Sequence, residues 1–175
     1  MAVLKIARMG HPVLLRRAEA VGDPSAPEIL RLIEDMAETL ADSGGIGLAA
    51  PQVHVPLRLF VMNIPPRRAG EDGPPPGFHA VIDPEFEPDG DAVIADWEGC
   101  LSIPGLRASV PRWARVRYRG LDRDGERFER LVGGLHARLV QHETDHLDGI
   151  LYPVRMTDFT RFGFNEELDR YGSDL

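Results

Sequence analysis

The segment His142-Glu143-Thr144-Asp145-His146 contains residue types that can hold a metal ion and move a proton. On a helix, His142 and His146 leave the same face one turn apart, so two neutral imidazoles can bind one ion. Glu143 lies beside them and is a candidate general base. A surface helix with two solvated histidines has the same spacing, so the choice between the two depends on a third ligand elsewhere in the chain.

The third ligand has three candidates. A metzincin-type site needs a histidine at the position of Tyr152, and tyrosine is a poor ligand there. A thermolysin-like site would use Glu166, although Pro153 interrupts the segment between it and His146. Cys100 would give a His₂Cys site, in which a soft thiolate suits Zn²⁺ or Fe²⁺ and three protein ligands leave a position for water. Spacing alone leaves Glu166 and an inert, buried Cys100 as open alternatives.

The residues around the two histidines predict a helix docked on a core. Leu135 and Leu139 precede His142 on the same helical stripe. Gly149 follows the histidines, and glycine accepts the left-handed conformation that often ends a helix. We therefore expect this helix to end close to Gly149.

A second helix is predicted nearer the N-terminus. Ser25 and Glu28 match a capping box, in which the two side chains satisfy the free amides of the first turn. The apolar residues that follow recur with the helical period and predict core packing; they are Ile29, Leu32, Ile33, Met36 and Leu40. The helix should end at Gly44-Gly45.

Strands are predicted between the two helices. The candidate segments are 57–62, 79–82, 92–94 and 113–121, and the last turns at 122–125 into a hairpin partner at 126–132. The arginines of 113–121 should form a solvated face. The proline-rich segment 65–77 predicts a mobile surface loop, and the tail has helix-like character over 165–169.

The run Gly45-Ile46-Gly47-Leu48-Ala49-Ala50-Pro51-Gln52 is small, apolar and ends in one amide side chain. It lacks the Gly-Lys-Ser/Thr of a phosphate-binding loop and follows a helix instead of a strand. One interpretation is a tight connection into the next strand. The other is an edge that faces a substrate, where small residues let a ligand approach the backbone and Gln52 supplies directed hydrogen bonds.

Composition limits the function classes. The 175 residues fit one domain, 1–175, with an ordinary hydrophobic fraction of 43%. A net charge of −8 gives no support for non-specific nucleic-acid binding, and we expect no specific DNA partner. Apolar runs are too short for a signal peptide or a membrane span, and the single cysteine excludes an internal disulfide. We expect a soluble, cytoplasmic protein with no membrane partner.

Three separated motifs resemble those of the peptide deformylase family, in the family's order and at its usual separations. They are Gly45 to Gln52, Glu98-Gly99-Cys100-Leu101-Ser102, and His142 to His146. The start Gly10-His11-Pro12-Val13-Leu14 is also similar, so the resemblance covers nearly the whole chain. The segment 65–77 and the tail 156–164 depart from the family pattern and leave the subclass and partner contacts open.

The resemblance implies an α+β fold with antiparallel strands and hairpins around a central metal-binding helix and an outer N-terminal helix. It implies a hydrolase that removes the formyl group from the N-terminal formyl-methionine of newly synthesised polypeptides and releases formate. Cys100, His142 and His146 would bind Fe²⁺ in the cell, and Zn²⁺, Ni²⁺ or Co²⁺ could occupy the same site. Metal-bound hydroxide would attack the formyl carbon, with Glu143 as general base and then acid.

The same resemblance assigns the groups that would stabilise the transition state and hold the peptide. The Gln52 amide and the backbone N–H of Leu101 would donate to the developing oxyanion. The peptide would pair in extended form along Gly45, Ile46 and Gly47. Candidates for the apolar pocket that takes methionine are Ile46, Leu135 and Leu139.

Two acidic residues are expected to support the site. Glu98 should orient the Cys100 turn through an arginine such as Arg112, and Asp145 should support the metal ligands or the packing of their helix. The expected partners are N-formylmethionyl nascent peptides and, in a bacterial cytoplasm, the ribosome.

Overall fold

The computed structural model describes residues 2–69, 74 and 76–172. In this part of the chain the helices are α1 (Pro27–Ser43), α2 (Pro66–Ala69), α3 (Gly134–Leu147) and α4 (Asn165–Tyr171). The strands are β1 (Gly47–Ala49), β2 (Leu59–Met62), β3 (His79–Pro88), β4 (Val93–Cys100), β5 (Ile103–Trp113), β6 (Arg115–Leu121), β7 (Arg127–Gly133) and β8 (Phe162–Phe164). The fold is α+β, as the sequence predicted.

Two antiparallel sheets carry the fold. The larger has the strand order β1-β2-β3-β6-β7, and the smaller has the order β4-β5-β8. The larger sheet lies between α1 and α3, because alternate residues of β2 face opposite ways: Leu59 and Val61 pack in the core that contains α1, and Phe60 and Met62 pack in the core that contains α3. Burial on both faces explains why β2 is a continuous apolar run.

Helix α3 is the central helix. Every residue from His136 to Leu147 is buried, polar residues included. Ala137, Val140 and Leu147 pack in the core beneath the larger sheet. The polar side chains on the opposite face of α3 are therefore also in the interior of the protein. From the amphipathic pattern of the sequence alone, this polar face would be expected to face solvent.

Helix α1 is the outer helix, and its predicted stripe packs on the larger sheet. The predicted capping box is wrong: the residue before the helix is Ala26, and no side chain caps it. The backbone N–H and the hydroxyl of Ser25 both donate to the Asp23 carboxylate, at 2.9 and 2.7 Å. Ser25 donates to a charged acceptor on Asp23 and lies one residue before the N-cap, where its hydroxyl does not accept from the first-turn amides. Pro27 has no N–H and so needs no acceptor at the first helical position.

Several strand bounds differ from the prediction. β3 continues to Pro88 and β4 to Cys100, because pairing with β6 and β5 supplies hydrogen-bond partners that local propensity does not reveal. The predicted strand 113–121 is divided at Ala114 between the two sheets. Of the predicted loop 65–77, Pro66–Ala69 forms the short helix α2, and residues 70–73 and 75 lie outside the described residues.

A glycine after α3 allows the chain to pass close to the N-terminal segment. Gly149 has φ of 74°, and a Cβ there would lie 2.9 Å from the carbonyl carbon of Leu15 and 3.0 Å from Arg16 backbone atoms. Gly44, after α1, has a similar φ of 68° but open space around its Cβ position. Alanine at Gly44 would therefore carry only the penalty of a left-handed backbone conformation, whereas alanine at Gly149 would carry that penalty together with steric overlap.

We predict that Gly149→Ala lowers the free energy of unfolding by about 3 kcal/mol or more, because it adds backbone overlap to the left-handed penalty. Gly44→Ala, the matched control, should cost only about 1 kcal/mol. Urea denaturation of both variants measures the difference. Equal costs would show that the Leu15–Arg16 contact can relax.

Candidate metal centre

Helix α3 places the two histidines on one face. The rings of His142 and His146 lie 5.0 Å apart between centroids, and both residues are buried. This is the arrangement that the four-residue spacing predicts for a helix. Both imidazoles therefore face the same point inside the protein.

The β4–β5 hairpin brings Cys100 to these histidines. The register shifts at Gly99–Cys100, so Cys100 pairs with Ile103 across a tight turn. The Cys100 Sγ lies 3.2 Å from the Nε2 of His146, and the ligand atoms of Cys100, His142 and His146 all lie within 4.8 Å of one another. Glu166 is exposed on α4, and it is not part of this group.

These three groups fit a metal ion. A thiolate and two imidazoles are ordinary ligands for Zn²⁺ and Fe²⁺, and three protein ligands leave a position open. The Nδ1–H of His142 donates a hydrogen bond to Glu98 Oε2 at 2.8 Å, which leaves the lone pair of Nε2 available for a metal. The types of ligand atom and their separation are therefore compatible with a catalytic metal centre.

Glu98 joins the two elements that carry the ligand atoms. Its carboxylate accepts hydrogen bonds from Arg112 at 2.9 and 3.0 Å and from Arg138 at 2.8 Å, in addition to its contact with His142. Burial alone would raise the pKa of Glu98, but its hydrogen bonds with His142 and Arg112 offset this and hold the pKa well below its ordinary value. Glu98 therefore remains charged while buried.

Asp145 continues this network on the far side of Arg112. Its carboxylate accepts hydrogen bonds from Arg112 and, in a two-pronged contact, from Arg155 at 2.7 and 3.1 Å. The arginine expected to act on Glu98 is thus Arg112, and the same guanidinium also holds Asp145. These contacts tie α3 to Arg112 and Arg155 through Asp145, one residue before His146 in the sequence.

The two histidines are electrostatically distinct in the metal-free chain. Burial would lower the pKa of His142, but the nearby Cys100 and Glu98 raise it well above its ordinary value of 6.5. Burial and the charge on His142 lower the pKa of His146 well below that value. A metal ion needs both rings neutral, so its binding would release a proton from His142.

Glu143 is placed as a base. It is 2% exposed, its Oε2 has no hydrogen-bond partner among the described residues, and burial raises its pKa to about 7. Gly47 of β1 lies against it, and a Cβ there would overlap Glu143 Oε1 and lie 2.7 Å from Leu139 Cδ1. A carboxyl group with such a pKa can accept and return a proton near neutral pH.

Gln52 and Leu101 flank Cys100. The Gln52 Oε1 accepts a hydrogen bond from Ala49 N–H at 2.8 Å, which fixes the amide orientation. Its Nε2 donates to Ser102 Oγ at 3.1 Å and lies 3.6 Å from Cys100 Sγ. The donor end of the Gln52 amide thus points at the metal-binding group, and Leu101 occupies the turn beside it.

A cavity of about 480 Å³ opens onto these groups. The catalytic candidates line its walls. All five residues predicted to bind substrate line them as well, and they are Gly45, Ile46, Gly47, Leu135 and Leu139. β1 lies at the edge of its sheet, with β2 as its neighbour, so its other edge can pair with an extended peptide.

Two contacts and two residues of the site were not predicted from the sequence. The contacts are Glu98 with His142 and Ser102 with Gln52, and the residues are the cavity-lining Arg138 and Asn165. Arg138 could have been found, because it lies on the helical stripe of Leu135, Leu139 and His142, where a charged residue is unexpected. The sequence contains no signal for Asn165, which the tail brings to the cavity.

The chain is similar to known proteins over nearly its whole length. Residues 3–162 match the family model described as polypeptide deformylase. A relative named peptide deformylase 2 from Ralstonia nicotianae is 48% identical over 93% of this chain and 92% of its own length.

Solved structures share the fold. A peptide deformylase from Thermotoga maritima has a TM-score of 0.81 and 35% identity, and the match covers 90% of this chain and all of that one. A class I type b peptide deformylase from Acinetobacter baumannii, bound to Met-Ala-Ser, has a TM-score of 0.81 and 32% identity over 89% of this chain and 99% of that one.

Acid should destabilise the protein partly through Glu98. Because the pKa of Glu98 is lower in the folded chain than its ordinary value of 4.5, its contribution to stability is complete above pH 4.5 and is lost as the pH falls below it. The Tm of metal-free protein should therefore fall more steeply below this pH in wild type than in Glu98→Gln. Metal-free protein is used because metal loss in acid would add its own slope, and equal slopes would contradict the assignment.

Proposed function

The chain belongs to the polypeptide deformylase family, and we propose that Cys100, His142 and His146 hold the metal ion on which this family depends. The protein is a hydrolase that removes the formyl group from the N-terminal formyl-methionine of newly synthesised polypeptides and releases formate. The observation that carries the ligand assignment is the convergence of one thiol and two imidazoles within 4.8 Å beside Glu143.

On the family resemblance, the proposed metal in the cell is Fe²⁺; the donor set itself is equally compatible with Zn²⁺, Ni²⁺ or Co²⁺ in the same site. A bound divalent ion supplies Lewis acidity, which lowers the pKa of water and polarises a carbonyl group. The contact of Glu98 with His142 Nδ1 favours the tautomer with the proton on Nδ1, so the Nε2 lone pair would be available to hold a metal ion. Glu98 is thus a positioning residue in this proposal.

Glu143 is the proposed general base and acid. Its carboxylate takes a proton from the attacking water as a C–O bond forms at the formyl carbon. It returns the proton to the peptide nitrogen as the C–N bond breaks, which releases formate and a free amino terminus. A pKa of about 7 suits both transfers, because neither direction is strongly uphill near neutral pH.

Gln52 and the backbone N–H of Leu101 are the proposed oxyanion donors. The contacts of Gln52 with Ala49 and Ser102 hold the amide in place before substrate arrives. A donor that needs no reorganisation contributes most at the transition state, and loss of one typically lowers the rate by about 10²–10³.

The peptide is proposed to bind along β1. Gly45, Ile46 and Gly47 line the cavity next to the free edge of the sheet, and Leu135 and Leu139 form an apolar wall on α3. Met-Ala-Ser bound to the Acinetobacter baumannii relative has the sequence expected of a deformylated N-terminus, which supports this assignment.

The remaining parts of the proposal concern the cellular setting. We place the activity in one catalytic domain, 1–175, in a bacterial cytoplasm, with N-formylmethionyl nascent peptides as substrates and the ribosome as a further partner. Within the described residues, the helices are too short or too polar to cross a membrane. No specific DNA partner is proposed, since the net charge is −8.

Formate release from formyl-Met-Ala-Ser tests the function and the ligands together. Anaerobically purified protein supplied with Fe²⁺ should release formate, Cys100→Ala should lose both metal and activity, and Glu143→Ala should keep the metal but lose about 10²-fold or more in kcat. Activity that survives in Cys100→Ala would move the third ligand to Glu166. Metal binding without release by wild type would favour a module that binds N-termini without hydrolysis.

The role of Glu143 can be tested without replacing it. Gly47→Ala should displace Glu143 or Leu139, so we expect kcat to fall by about tenfold or more while metal content stays unchanged. Gly163→Ala is the matched control, because its Cβ would lie in ordinary contact, 3.4 Å from Leu168. Unchanged kcat in Gly47→Ala would show that the placement of Glu143 is not critical.

A further inference from the structure

Arg138 is a buried cation in the wall of the catalytic cavity. It lies on the face of α3 that also presents Leu135, Leu139 and His142, and it lines the cavity with them although only 8% of the residue is exposed. The wall proposed to receive the methionine side chain is therefore not wholly apolar. Apart from its contact with Glu98, the proposed reaction gives this charge no role toward the substrate.

The β4–β5 hairpin holds the Arg138 guanidinium in one position. Nη1 donates to Glu98 Oε1 at 2.8 Å and to the carbonyl oxygen of Val110 at 2.7 Å, and Nη2 donates to the carbonyl oxygen of Ile94 at 2.6 Å. Within the described residues, every hydrogen bond of Arg138 uses Nη1 or Nη2, so the Nε–H is left as a donor. Its charge is balanced by Glu98, which makes burial tolerable.

A fixed cationic donor discriminates among side chains of one shape. The thioether of methionine is a weak hydrogen-bond acceptor, its sulfoxide is a strong one, and the isosteric hydrocarbon norleucine has no acceptor. A wholly apolar pocket would accept norleucine as well as methionine and reject the sulfoxide, because a buried polar group without a partner is costly. A wall that contains Arg138 should instead favour methionine over norleucine and accept the sulfoxide.

We propose that Arg138 is a specificity-determining residue, whose guanidinium selects N-terminal side chains that carry a hydrogen-bond acceptor at the sulfur position of methionine over hydrocarbon side chains of the same length. The proposal rests on the deformylase function, and it extends the substrates to polypeptides whose formyl-methionine has been oxidised to the sulfoxide. Glu98 and the two strand carbonyls act through Arg138 by holding it in place.

Competition among three substrates tests the proposal in the Fe²⁺-loaded wild-type protein. The peptides are formyl-Met-Ala-Ser and its norleucine and methionine-sulfoxide analogues, compared by kcat/KM. We expect methionine to exceed norleucine by about threefold or more and the sulfoxide to stay within about tenfold of methionine. A preference for norleucine with rejection of the sulfoxide would overturn the proposal without any variant.

Arg138→Met removes the cation and retains an unbranched side chain. The methionine-to-norleucine ratio should fall to about one, and the sulfoxide should lose a further tenfold or so relative to methionine. Arg138→Lys keeps the charge but removes the Nε–H donor, so kcat/KM for the sulfoxide peptide should fall relative to methionine by a smaller factor than in Arg138→Met. This second variant keeps the test available if Arg138→Met does not fold. Metal content and circular dichroism check that each variant is intact.

Arg112→Lys is the matched control. Arg112 also binds Glu98, but it is not among the cavity-lining residues described, so this variant should lower all three rates by a common factor and leave their ratios unchanged. Intact Arg138 variants with wild-type ratios would overturn the proposal and leave Arg138 with a purely structural role. Absence of turnover of all three peptides by wild type would instead overturn the deformylase function on which the proposal rests.

Discussion

The buried carboxylate of Glu98 is the interaction on which the site depends, because it joins both elements that carry metal-binding atoms. It precedes Cys100 in β4 by two residues and contacts His142 on α3. Its charge is balanced by two guanidinium groups, so the hairpin and the helix cannot separate without leaving a charge unpaired in the interior. Breaking a buried pair of this kind typically costs about 3–5 kcal/mol. The hairpin and α3 therefore form one electrostatic unit.

Helix α3 combines two requirements that oppose each other. Its apolar residues pack beneath the larger sheet, while its histidines, glutamate and arginine are buried on the other side. Burying so many polar groups is unfavourable unless each has a partner, and the hairpin supplies most of them. Three buried polar atoms of α3 have no hydrogen-bond partner among the described residues, and they are Glu143 Oε2, Thr144 Oγ1 and His146 Nδ1. Of these three residues, Glu143 is the one that lines the cavity and is assigned to the chemistry.

Close approach of β1 explains the reactivity of Glu143. Only a residue without a side chain fits at Gly47, because a Cβ would overlap the carboxylate. The strand backbone excludes water from Glu143, and this desolvation is the main reason for its raised pKa. Gly47 also lines the cavity, so in the proposed function β1 both desolvates the base and contributes to the surface along which the peptide would pair.

The two main helices and the chemical groups of the site could be predicted from local patterns and motifs, whereas the partners of those groups depend on tertiary contacts. Helical spacing predicted that His142 and His146 share a face, and three motifs with a family resemblance indicated Cys100, Gln52 and Leu101 from distant segments. Spacing could not choose between Cys100 and Glu166, because that choice depends on which segment folds back against α3. Local patterns also missed the Asp23–Ser25 contact, the full lengths of β3 and β4, and the contacts of Glu98 and Arg138. Each of these depends on a hydrogen-bond partner supplied by another part of the chain, and periodicity in a single segment carries no information about such partners.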